Sequence, residues 1–125
     1  MSTKNRTYST KIAITNLIKQ VFPRCFNQLP LNDVDYPFAV YSLFFRDNYP
    51  GMILELTVDL WDVDINQIGF QQKIDDLIDV LDFINYEDES IHMSGRIETI
   101  GDITAQEESL IKAQLIGEYN LYKVG

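Results

Sequence analysis

Residues 52–63 read MILELTVDLWDV, and this stretch decides the fold. Met52, Leu54, Leu56, Val58 and Leu60 fall on one parity, and Ile53, Glu55, Thr57, Asp59 and Trp61 on the other. Successive strand side chains point to opposite sides. A period of two over this length therefore predicts a long strand with one buried face and one mixed face. A single covered core has no use for two carboxylates and a Trp on the second face, so the mixed face is where the sequence points for function.

Upstream, Tyr36–Phe45 (YPFAVYSLFF) predicts a second strand, with Pro37 at its first position, where a missing N–H costs least. The turn formers Asp47-Asn48-Tyr49-Pro50-Gly51 join the two strands as an antiparallel hairpin. Downstream, Asp64 or Asn66 ends the strand and caps a helix. Ile68, Ile74, Leu77, Ile78, Leu81 and Ile84 form that helix's predicted buried stripe. Lys73, Asp75, Asp76, Asp79 and Asp82 face away and, with Glu87, make an acidic surface: a solvated helix face or a docking surface. Asn85–Glu89 reads as a loop and Ile91–Ile100 as a third strand, irregular at Gly95. Gly101–Glu108 is a loop or a wide arm. Leu110–Val124 reads as a fourth strand, with Ile111, Ala113, Leu115, Tyr119 and Leu121 on one parity and Lys112, Gln114, Glu118 and Asn120 on the other. Gly117 marks a bulge in it.

Before the hairpin, residues 1–8 are polar and basic and read as a mobile terminus. Ser9 or Thr10 can N-cap a helix carrying Ile14, Leu17, Ile18 and Val21, flanked by Ile12 and Phe22 and stopped by Pro23. A connector, Arg24–Tyr36, follows, with Cys25, Phe26, Leu29 and Leu31 as apolar anchors. The predicted order is α-β-β-α-β-β. It defines an α+β fold: one domain over residues 1–125, with an antiparallel sheet of about four strands and helices packed on one face.

The length of 125 residues suits one domain that buries about two-thirds of its unfolded surface. The formal net charge of -9 argues against general nucleic-acid binding, which needs clustered Lys and Arg, and against an anionic membrane surface. Cys25 is the only cysteine, so no internal disulfide forms, and a lone thiol fits a reducing compartment. The N-terminus has no apolar signal-peptide core, and no apolar run reaches the roughly 18 residues of a spanning helix.

No catalytic template is complete. His92 is the only histidine, which leaves Ser/His/Asp, Cys/His and zinc sites without members. Asp62-x-Asp64-x-Asn66 begins like an EF-hand loop, but Gln67 and Lys73 stand where that loop needs its Gly and its bidentate Glu. Glu55 and Asp59, four residues apart on one strand face, would lie about 13 Å apart, too far for the usual glycosidase pairings. No glycine-rich phosphate loop occurs. The sequence therefore predicts no catalytic, cofactor-binding or metal-binding residues and no enzyme.

Tyr36-Pro37-Phe38-Ala39-Val40-Tyr41, Val58-Asp59-Leu60-Trp61-Asp62 and the acidic helix segment Ile74-Asp75-Asp76-Leu77-Ile78 resemble the tail-terminator (tail-completion) proteins of long-tailed phages and prophages. The resemblance runs from about Ile12 to Tyr122. It implies a small α+β protein that assembles in the host cytoplasm as a ring, commonly a hexamer in that family, at the head–tail junction of the virion. There it would stop growth of the tail-tube protein and present a surface to the head-completion connector, while DNA passes through without specific binding. A ring-former needs faces that are neither pure core nor pure solvent, and Glu55, Asp59, Trp61, Tyr119 and Tyr122 are the candidate interface residues. A head-closure or minor capsid protein is the alternative within the same virion; a small ligand-binding domain or enzyme is the alternative outside it.

Overall fold

The computed structural model describes residues 6–28, 34–106 and 109–123. Helix α1 spans Arg6–Lys19, strand β1 Cys25–Phe26, β2 Phe38–Asn48 and β3 Gly51–Val63. A 3-10 turn, Asp64–Asn66, leads into helix α2, Gln67–Leu81; then come β4 Ile84–Glu87, β5 Ile91–Ala105 and β6 Leu110–Lys123. The strands form one six-stranded sheet in the order β1-β2-β3-β6-β5-β4. Only β1 is parallel to its neighbour; the other pairings are antiparallel.

This overturns the predicted four-stranded antiparallel sheet and its α-β-β-α-β-β order. The fold is mostly sheet, with six strands, mixed pairing and two helices among the described residues. The added strands are short. Cys25 and Phe26, read as connector anchors, pair in parallel with Ala39 and Val40. Ile84–Glu87, read as the end of a helix and a loop, pairs with Gly95–His92. Neither stretch is long enough to show a period. The region after Ile100 is strand rather than loop, because β5 continues to Ala105 against β6. Of the predicted features, residues 1–5, Leu29, Leu31, Glu107, Glu108 and Val124 lie outside the described residues.

The sheet is centred on β3, which pairs along its length with β2 on one side and β6 on the other. Leu54, Leu56, Val58 and Leu60 are fully buried, as the parity of β3 predicts, and Ile111, Ala113, Leu115, Tyr119 and Leu121 of β6 lie beside them in the core. Both helices pack on this face. Ile14 and Ile18 of α1 and Phe70, Ile74, Leu77 and Leu81 of α2 complete the cluster. Phe22 meets Phe70 edge-on at 6.4 Å, and the Thr15 and Tyr41 hydroxyls share a hydrogen bond of 2.5 Å, tying the end of α1 to α2 and its middle to β2.

Three local predictions change. Helix α1 begins at Arg6, so Ser9 and Thr10 are helical residues rather than caps, and Thr10 is fully buried. Ile68 is 89% exposed and Phe70 takes its place in the stripe. With 3.6 residues per turn, Ile68 lies about 160° round the helix from Phe70, on the far side from Ile74 and Leu77. Asn66 holds the cap position of α2, but its side chain makes no cap hydrogen bond. Its amide instead donates to Asp62 Oδ2 at 2.8 Å. Asp62 continues the core parity of β3 and is buried, so its carboxylate needs donors there. Val63 N–H supplies the other at 2.7 Å.

Gly95 and Gly117 both lie against Tyr119, and Gly95 also lies against the backbone of β6 at Glu118 and Tyr119. The Tyr119 ring lies so close that a Cβ on Gly117 would stand 2.6 Å from its hydroxyl, and one on Gly95 2.6 Å from the ring. The irregularity predicted at Gly95 and the bulge predicted at Gly117 are therefore room for Tyr119 and, at Gly95, for the β6 backbone as well. The register shifts instead fall on β5, between Ile97 and Thr99 and between Gly101 and Thr104.

Leu56→Ala should cost about 2–5 kcal/mol, the range of fully buried Leu truncations, in denaturant melts. Ile68→Ser, a larger change in hydropathy but at an exposed position, should cost under about 0.5 kcal/mol.

Candidate functional site

The second face of the sheet carries no helix among the described residues. Its rows follow from the registers. Phe38, Trp61 and Lys112 form one row, Val40, Asp59 and Gln114 the next, then Ser42, Thr57 and Ile116, then Phe44, Glu55 and Glu118. Strand alternation puts them all on the side away from the core.

An aromatic cluster occupies the Val63 end. Trp61 stacks on Phe38 with ring centres 6.3 Å apart and planes 16° from parallel. Phe38 in turn meets Tyr36 at 5.4 Å and Phe26 of β1 at 6.3 Å. Lys112 Nζ lies 5.1 Å from the centre of the Trp61 ring, in cation–π contact, and 3.7 Å from Asp59 Oδ1. Gln114 donates to the same Asp59 oxygen at 2.8 Å. The indole N–H of Trp61 is enclosed, with no acceptor among the described residues. A polar group buried in this way costs about 1–3 kcal/mol until something accepts from it.

The opposite end is more open. Phe44 is 62% exposed, and the Arg46–Glu118 pair, 3.3 Å apart, is half-exposed and contributes little to stability. Tyr122 sits over Gly51 at this end, partly exposed. Four of the five predicted interface residues, Glu55, Asp59, Trp61 and Tyr122, thus share the uncovered face. Asp59 and Trp61 are joined through Lys112, whereas Glu55 and Tyr122 stand apart from that cluster. Tyr119 does not share the face. It points into the core, 1% exposed, and its hydroxyl donates to the Leu81 carbonyl at 2.7 Å. Burial, with the Asp82 carboxylate nearby, pushes its hydroxyl pKa well above the ordinary phenol value. Its membership of the apolar parity of β6 was the signal for this placement.

Sequence reasoning missed Phe38, Lys112 and Gln114. Their part becomes visible only once β2 and β6 are laid on either side of β3, because the three strands are distant in sequence. His92 contacts Asn85 Oδ1 at 2.8 Å, and among the described residues no group of three His, Cys, Asp or Glu gathers to hold a metal. No described helix is long and apolar enough to cross a membrane.

No protein-family model and no curated protein matches the chain. Its fold is similar to that of a chain in the solved structure "Virion of native gene transfer agent (GTA) particle", with a TM-score of 0.60 at 6% identity, covering 86% of this chain and 83% of that one. At this identity the likeness is one of fold.

Two predictions follow from the placements. Tyr119→Phe strands the Leu81 carbonyl and should destabilise the monomer by about 1–3 kcal/mol. Oligomer mass by light scattering, measured well below the melting temperature, should stay unchanged, since the side chain reaches no surface. At the β4–β5 turn, desolvation alone would raise the Asp88 pKa, but donors from Ser90 N–H, Tyr86 OH and Ile91 N–H outweigh it and lower it. A lowered carboxylate adds stability above its unfolded pKa and loses it as pH falls through the folded value. Acidification below the ordinary carboxylate range should therefore lower the protection factors of the Ser90 and Ile91 amides, that is, their exchange corrected for its intrinsic pH dependence, and Asp88→Asn should remove that change in protection.

Proposed function

We propose that this protein is a structural component of a phage-like virion, that it acts by assembly and without turnover, and that within the virion it is a tail terminator. The observation that carries the reading is the uncovered sheet face. An aromatic cluster with an unaccepted indole N–H, flanked by charged groups, is what an assembly contact uses: desolvated anchors surrounded by polar residues. The fold likeness to a virion chain supports the broad role. The finer role rests on the resemblance of Tyr36–Tyr41 and Val58–Asp62 to tail terminators.

On this reading copies of the chain close a ring on the finished tail tube in the host cytoplasm. The tube protein meets one side of the ring and the head-completion connector the other. A lumen of net negative charge lets DNA pass without binding, since like charge repels the phosphate backbone. Individually weak contacts between copies become cooperative once the tube holds them at high effective concentration.

Deletion of the gene from its phage or prophage should give tails of uncontrolled length that fail to join heads, seen by electron microscopy. Normal tails joined to heads would eliminate the terminator reading, and leaking heads beside normal tails would favour head closure. In a complemented strain, Trp61→Ala should lower the yield of joined particles at least tenfold, the scale of losing an interface anchor.

A further inference from the structure

The edges of the sheet are unequal. On one side, β1 covers β2 only at Ala39 and Val40, and Asn27 Nδ2 takes the Tyr41 carbonyl at 3.1 Å. From Ser42 to Asn48, β2 has no strand beside it among the described residues, and its pairing with β3 is free of bulges. On the other side, β5 is protected beyond β4. Asp82 Oδ1 accepts from Ile97 N–H at 2.9 Å, and both register shifts of β5 fall there. Caps and bulges are how proteins blunt an edge against pairing. Strand β4 has no such device, and its outer edge runs unbroken from Ile84 to Glu87.

The two unprotected edges match in level and direction. Successive registers place Phe45, Leu54, Tyr119, Gly95 and Ile84 in one row across the sheet, and Arg46, Ile53, Asn120, Ser94 and Asn85 in the next. Four antiparallel pairings separate β2 from β4, so the two strands run the same way. A neighbouring copy displaced sideways along these rows would bring its β2 beside β4 in parallel, below β1, which already pairs with β2 in parallel.

Side chains and charge agree with that placement. On the core face, Ile84 would meet the neighbour's Phe45 and Tyr86 its Asp47, beside the groove that Leu43 and Phe45 line with Tyr8 and Lys11 of α1. On the uncovered face, Asn85 and Glu87 would meet Arg46 and Asn48, and Glu87 reaches Arg46 on the diagonal. Every charged residue from Asp75 to Glu89 is acidic, whereas α1 contains no acid and Lys11 lies in the groove. The β4 edge is therefore acidic, while Lys11 and Arg46, set against the single acid Asp47, leave the β2 edge the more basic of the two.

We propose that a second copy of this chain docks head-to-tail by pairing its β4 in parallel with the open half of β2, from Ser42 to Asn48, in its neighbour. The inference rests on the ring-forming reading and names the contact that would close the ring. A heterologous contact repeated by rotation makes a closed ring, whereas a two-fold contact stops at a dimer.

The test joins the edges covalently in the full-length chain carrying Asn85→Cys and Asn48→Cys, on the uncovered face of each edge. The native thiol of Cys25 is buried and pushed up to about 11, so it does not compete. A short bismaleimide should give a ladder of covalent multimers ending at the ring size, and neither single variant should cross-link. Arg46→Glu should weaken association in sedimentation velocity about fivefold, the scale of an exposed charge pair, and Arg46→Glu with Glu87→Arg should restore it. Dimers from Asn48→Cys alone would mean that two β2 edges meet, overturning the proposal. Oligomers in light scattering with no ladder and no response to Arg46→Glu would overturn this contact while leaving ring formation standing. Monomer at every concentration, with and without tail tubes, would overturn both.

Discussion

Pairing of β3 with β2 and β6 at once is the constraint on which the rest of the structure depends. It aligns Leu54, Leu56, Val58 and Leu60 with the apolar parity of β6 and gives both helices a continuous floor. It also sends Glu55, Asp59 and Trp61 to the other side together. A one-residue slip would exchange the faces, placing two carboxylates beneath the helices and a row of leucines in water, so the register is strongly specified. Asp62 is the one acidic residue on the core parity of β3. It is accommodated because the strand ends there and the turn returns donors from Val63 and Asn66.

What was legible in the sequence follows from what has a period. β3 and β6 alternate over many residues, so their faces could be read and their buried residues named. β1 and β4 are two and four residues long and carry no period, yet they turn an antiparallel sheet into a mixed one and set its edges. Gly95 and Gly117 looked like local defects because the ring that needs the space, Tyr119, acts across strands. Tyr119 itself was open to two readings, anchor by residue type and core by parity, and its parity was the better guide to where it sits. The uncovered face was half legible. Asp59 and Trp61 stood out, but the Lys112 and Gln114 that hold Asp59, and the Phe38 that stacks on Trp61, are contributed by other strands.

The functional reading joins two features of the same sheet. One face is closed by helices, and the other carries aromatic and charged groups around an enclosed Trp61 indole N–H that has no acceptor among the described residues. The edges differ in the same sense: β5 is capped and bulged where it would otherwise be open, while β2 and β4 are left plain. A protein selected to remain alone has no reason to protect one edge and leave two matching ones free. The proposed assembly gives this asymmetry a use, and the acidic α2–β4 side opposite a basic α1 would set its direction of approach.

The most direct test of the central claim is to locate the protein in a finished particle. Cryo-electron microscopy of virions from the phage or prophage that carries this gene should show a single ring of this fold between the last tail-tube ring and the connector, at one position per particle. The same fold found along the tube, on the capsid surface, or nowhere in the particle would contradict the account.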